Sequence, residues 1–183
     1  MTAAAVNTAL EIANWFFKRA EKDNSYLQDD KLQHLMFLAQ VHFALAHQNN
    51  YLFPGLFAAG PDGYVDPNLQ MTLSFGRPLM ASPKFSDKIN AFLELIWNKY
   101  SPLDSADLSD LVLNATAHRE NYKHGEYNLI PLSELAAQFK TRFNTARGKA
   151  ATRPHKVMIS QNGPVVVSRW QPRKINSENT KEI

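Results

Sequence analysis

Six histidines are the residues of this 183-residue chain with the widest chemical reach. Their spacing argues against a metal centre. His42 and His47 stand near the end of one helical stretch, His34 and His42 lie two turns apart, and His118 and His124 fall in a polar connecting segment. A helical zinc site sets two histidines at i and i+4 and needs a third ligand, and no such set is visible here. The chain has no cysteine, which excludes a disulfide framework, thiolate metal sites and cysteine nucleophiles. Neither a glycine-flanked serine nucleophile nor a phosphate-cradling glycine loop is present. Serine, histidine and aspartate occur, but one sequence alone does not place them together as a triad. The expectation is a non-enzyme without a cofactor.

Binding chemistry is better represented. His118, Arg119 and Tyr122 crowd a short polar segment, and arginine and tyrosine are enriched among interface anchors. The competing reading is a capped surface loop. Lys31 sits in the first turn of a helix, where the dipole disfavours a cation, so it has either a specific partner or a solvated position. These four are the candidate protein-binding residues, expected to be exposed. Gly60-Pro61-Asp62-Gly63 reads as a tight turn rather than a ligand loop. Trp97 is expected in the core, whereas Trp15 and Trp170 suit either packing or contact.

Charge is split along the chain. Residues 1–134 hold 10 Lys/Arg against 15 Asp/Glu, and residues 135–183 hold 10 against 2. Between Leu135 and Ser177 there is no acidic residue. An acidic body with a basic arm suggests contact with nucleic acid or docking on an acidic protein; otherwise the arm is solvated and folds back on its own body. The residues that would carry such contact are Arg147, Lys149, Arg153, Lys156, Arg169, Arg173 and Lys174. No named nucleic-acid module is recognisable. The N-terminus has neither a basic n-region nor an apolar h-region, and no apolar run reaches a membrane span. A cytoplasmic protein without membrane contact is expected.

The elements that must hold these residues are mostly helical. The first helix is expected from Thr2 or Asn7 to Ala20, burying Ala9, Ile12, Ala13, Phe16 and Ala20. The second, capped by Asp29 or Asp30 and ending near His47, is apolar over most of its circumference and should be central. Residues 51–76 are turn-rich, and Asp66-Pro67 opens a short helix with Met71 and Phe75 inward. Ile89, Phe92, Leu93, Ile96 and Tyr100 form a stripe ended by Ser101-Pro102. Ser105 is expected to cap the next helix, and a last one runs from Ser133 to Asn144. Asn162-Gly163 between β-branched runs is a strong hairpin signal. The prediction is a mainly α fold: a compact domain of about five to six helices over residues 1–144. A basic linker, a C-terminal β-hairpin extension and a disordered tail occupy 145–183.

Order and spacing of several motifs resemble one family. A helix like Ala9-Leu-Glu-Ile-Ala-Asn-Trp-Phe-Phe17 precedes Lys31-Leu-Gln-x-Leu-x-x-x-Ala-Gln40. Leu52-Phe53 and Gly60-Pro61 follow, then Ile96-Trp-Asn-Lys-Tyr100, Leu108-Ser-Asp-Leu111, and Thr116-Ala-His118 with Tyr122. Over about residues 8–140 this resembles the Panacea domain of bacterial and phage-associated proteins. The chain departs from the family pattern in having Phe57-Ala-Ala before Gly-Pro, an inserted Ala117, and Tyr122 where tryptophan is usual. The resemblance implies a mostly helical antitoxin that neutralises a cognate toxin by direct contact or hands it to a protease. The alternative is a nucleic-acid-binding regulator that uses the basic arm.

Overall fold

The computed structural model of the chain describes residues 4–116, 118–122, 128–149, 156–160 and 163–167; of residues 119, 120 and 142 onward it describes the backbone alone. Helices dominate: α1 (Ala9–Lys22), α2 (Asp29–Ala46), α3 (Pro67–Ser74), α4 (Asp87–Tyr100), α5 (Ser105–Ala115), the single turn α6 (His118–Asn121) and α7 (Leu132–Lys149). Strands β1 (Phe57–Gly60), β2 (Gly63–Val65) and β3 (Leu129–Ile130) form an antiparallel sheet in the order β2-β1-β3. A separate antiparallel hairpin pairs β4 (Lys156–Ser160) with β5 (Gly163–Val167), Ser160 opposite Gly163. The chain divides into two compact units, Met1–Gly148 and Lys149–Ile183.

The central helix is the one whose sequence is apolar all round. Leu32, Leu35, Met36, Phe37, Leu38, Ala39 and Val41 are all fully buried, because α2 packs against α1, α4, α5 and β2. Its N-cap is Gln28 without a side-chain hydrogen bond, not Asp29 or Asp30. The two aspartates stand instead in the first turn, where the dipole favours them. α1 begins later than expected, at a capping box in which Thr8 Oγ1 accepts from Glu11 N and the Glu11 carboxylate accepts from Thr8 N. That reciprocal pair satisfies two of the helix's free amides.

Other boundaries also move. Asp104, not Ser105, caps α5, because its carboxylate reaches Asp107 N at 2.7 Å. Asp66 caps α3 as expected, but the helix turns Leu69 and Leu73 inward and leaves Met71 and Phe75 exposed. Both pairs are spaced four apart, so periodicity alone cannot choose between them. α7 runs on to Lys149 through residues read as linker. Its Leu132, Leu135, Ala136 and Phe139 are buried as expected. Residues 171–183, expected to be disordered, lie outside the described residues.

The small sheet has no counterpart in the sequence reading. Phe57-Ala-Ala-Gly60 has little strand propensity and no alternation, yet all four residues are buried. Tertiary packing overrides propensity here. Gly60-Pro61-Asp62-Gly63 is indeed a tight turn, and it closes the β1–β2 hairpin with Ala58 opposite Val65 and Ala59 opposite Tyr64. Among the described residues, no helix is long and apolar enough to cross a membrane.

Candidate functional site

Lys31, Gln33 and Gln40 of α2 are internal clamps. Gln40, fully buried, accepts from Leu52 N at 3.1 Å and Phe53 N at 3.2 Å, and its Nε2 donates to Phe53 O at 3.1 Å. One side chain thereby satisfies three main-chain groups of the loop that follows α2. Two turns earlier, Gln33 Oε1 accepts from Asp66 N at 3.0 Å and sets the start of α3. Lys31 finds its partner inside the molecule. Its Nζ donates to Ser101 O at 2.7 Å, at the C-terminal end of α4, where the dipole favours a cation. Burial pushes its pKa down, opposed by the nearby Asp104 carboxylate.

The turn at Gly60–Gly63 is gripped from two sides. His118 Nε2 lies 2.6 Å from Gly60 O and 3.2 Å from Gly63 O. Both are acceptors, so Nε2 carries the proton. The His118 ring meets Tyr64 edge-on at 5.3 Å and stacks on Tyr122 at 5.5 Å. Expected as an exposed anchor, His118 is buried; Tyr122 is half-buried. A histidine in a polar stretch gives no sign that two carbonyls 55 and 58 residues upstream will enclose it. Ser109 Oγ donates to Asp62 O at 2.6 Å and ties the turn to α5.

From the other side comes His34. Gly63 has φ +147°, and a Cβ there would lie 2.9 Å from His34 Cε1 and 3.2 Å from Nδ1. Backbone strain and overlap act together, so Gly63→Ala should cost about 2–4 kcal/mol. Urea unfolding should show the loss. An unchanged midpoint would mean that the turn does not need glycine.

His42 lies elsewhere, with Nε2 2.6 Å from the Tyr100 hydroxyl and its ring edge-on to Phe139 at 5.3 Å. Burial, with a smaller contribution from Lys99, pushes its pKa down to about 4. The unfolded chain takes up this proton near pH 6.5 and the folded chain only near 4. Stability is therefore complete above about pH 6.5 and falls as pH drops towards 4. Between pH 7 and about 4.5 the loss from this group should be about 2–3 kcal/mol. His42→Gln should remove that much of the acid sensitivity. Equal pH dependence in variant and parent would refute the assignment.

The remaining candidates are not brought together with these. The side chains of Arg119, Arg147, Lys149 and Lys156 lie outside what is described, as do residues Arg153, Arg169, Arg173 and Lys174 altogether. Trp97 is buried as expected, and its Nε1 donates to Asp23 Oδ2 at 2.9 Å. An open groove of about 590 Å³ between α1, α4 and residues 82–83 is lined by Trp15, Lys18, Arg19 and Glu94 among others. Arg19 there is held by Glu94 and Asp23, which raise its pKa. Among the described residues no group of three or more His, Cys, Asp or Glu could hold a metal ion.

The residues that organise this region without having been singled out for it are Gln33, Gln40 and Asp66. Two glutamines seven apart on the buried face of an apolar helix were the available signal, since a buried amide oxygen calls for donors, and each Oε1 accepts from main-chain N–H groups. What the fold defines is a mainly helical domain with a small antiparallel sheet, built around α2. No family description, curated protein or solved structure matches the chain.

Proposed function

We propose that this is an antitoxin-like protein-binding domain, of the kind the Panacea resemblance implies, acting in the cytoplasm on a cognate toxin. One observation supports the reading above others: motif residues scattered over the sequence each fasten a different part of one framework. Lys31 holds the end of α4, Gln33 the start of α3, Gln40 the Leu52-Phe53 loop and His118 the Gly60–Gly63 turn. A motif whose members clamp one framework together is a folding signature. The partner-specific surface then belongs to exposed residues outside it.

Co-expression tests the reading. The product of an adjacent growth-arresting gene should become harmless when this chain is present. Purification should recover the two together, or show the toxin degraded by a protease only in its presence. A set of neighbouring products without toxicity, or without a complex, would defeat it. The charge split supports a second reading, a nucleic-acid-binding regulator that works through residues 145–183. Retention of the gene's own upstream DNA, lost steeply with salt, would bring that reading forward.

A further inference from the structure

The C-terminal hairpin has one edge open to pairing and one edge closed. Among the described residues β4 and β5 form a sheet of two strands, and neither has a second neighbour. Two strands alone are marginal in water. The register sets Ser160 opposite Gly163, so the loop between them has two residues. The pair that closes such a loop exchanges main-chain hydrogen bonds, and bonded and unbonded pairs alternate beyond it. Met158 with Val165 and Lys156 with Val167 are therefore bonded pairs, whereas Ile159 with Pro164 and Val157 with Val166 are not. Pro164 agrees with this phase, because proline has no N–H to give to a bonded pair.

Main-chain groups of the unbonded pairs point away from the neighbouring strand. On β5 the outward position beside the turn is Pro164, whose missing N–H closes that edge. On β4 the outward positions are Val157 and Ile159, each with both N–H and C=O. β4 is thus the edge that can take another strand.

This edge is self-complementary. When two copies of β4 run antiparallel, Val157 meets the second copy's Ile159, and Ile159 meets the second copy's Val157. Each of these pairs exchanges two main-chain hydrogen bonds. The two-fold axis passes through Met158, and Lys156 falls opposite Ser160 rather than opposite another cation. Like charges directly opposite would destabilise the pairing, and β-branched residues facing each other favour it. The hairpin register also puts Val157, Ile159, Pro164 and Val166 on one face, so the joined strands share one apolar face. Opposing the association is the charge of the arm, 10 Lys/Arg against 2 Asp/Glu over residues 135–183. Salt screens that repulsion.

We propose that the chain self-associates through β4, whose open edge pairs with the β4 of a second copy to give a four-stranded sheet in the order β5-β4-β4-β5. The pairing holds or fails independently of both readings of function.

The full chain has no cysteine, so a single one introduced into it reports the register. Opposed residues of an unbonded antiparallel pair have Cα atoms about 4.5 Å apart, a distance that a disulfide spans. Met158→Cys should therefore give a disulfide-linked dimer under mild oxidation. In Ser160→Cys the two cysteines would stand about 13 Å apart, and crosslinking should be at least about tenfold less. Sedimentation equilibrium of the parent should show a monomer–dimer equilibrium that tightens as salt rises. Ile159→Pro removes an outward N–H that the hairpin itself does not use, and should weaken the dimer at least about tenfold. Pro164→Val opens the second edge and should give assemblies larger than a dimer, which a hairpin merely disturbed by substitution would not form. A parent that stays monomeric at every salt concentration, or equal crosslinking of the two cysteine variants, would overturn the proposal. So would unchanged association in Ile159→Pro or in Pro164→Val. Association that weakens with salt would also overturn it, since the basic arm would then be docked on the acidic body of another copy. Association that nuclease treatment removes would do the same, with nucleic acid as the bridge.

Discussion

Gln40→Leu is expected to destabilise the domain by about 3–6 kcal/mol, although it replaces a polar residue in a fully buried position with an apolar one of similar size. The reason is the partners left behind. Leu52 N, Phe53 N and Phe53 O all lose their hydrogen bonds with the Gln40 amide. Leu52 and Phe53 are themselves buried, so water cannot replace it. Each orphaned group costs about 1–3 kcal/mol. For a chain of this length the loss should appear as a fall in Tm of roughly 10–20 °C. Gln70→Leu, on the exposed side of α3, provides the control and should change stability by no more than about 0.5 kcal/mol. Equal melts for the two variants would mean that the loop is held by something other than Gln40.

What was readable in advance follows from which signals are local. The stripe of α4 and the unbroken apolar face of α2 are periodic over several turns, and the structure places both helices as expected. The Asp66-Pro67 start of α3 is local stereochemistry and is also observed. The β1–β2 hairpin is different: Ala58, Ala59 and Gly60 form a strand because buried partners surround them. The inward pair of α3 depends on which side meets the core, a tertiary fact absent from eight residues. Lys31 was noticed for its place in the first turn of a helix and His118 for its company with Arg119 and Tyr122, but their partners, Ser101 O and the Gly60 and Gly63 carbonyls, lie 55–70 residues away in the sequence. A polar residue in an unfavourable place signals an interaction. It does not say whether the partner is within the molecule or outside it.

Phe37 is where the helical and sheet parts of the core meet, and Phe37→Ala should cost about 3–5 kcal/mol. The ring is fully buried and stacks on Tyr64 of β2 with centroids 4.9 Å apart and planes at 15°. It meets Phe57 of β1 edge-on at 5.4 Å and Phe139 of α7 at 6.5 Å. Truncation removes the apolar burial, opens a cavity bounded by three different elements, and ends each ring pairing. Such pairings are worth about 0.5–1.5 kcal/mol beyond area. Because the cavity is bordered by both helix and sheet, collapse around it is restricted, which favours the upper part of the range. A double-mutant cycle with Phe139→Leu should return a coupling of about 1 kcal/mol, since the two rings share a contact. Phe75→Ala, at a position expected to face inward but found exposed, should cost no more than about 0.5 kcal/mol. Urea unfolding of the two alanine variants separates these outcomes, and comparable losses at Phe37 and Phe75 would show that the core is not organised around α2.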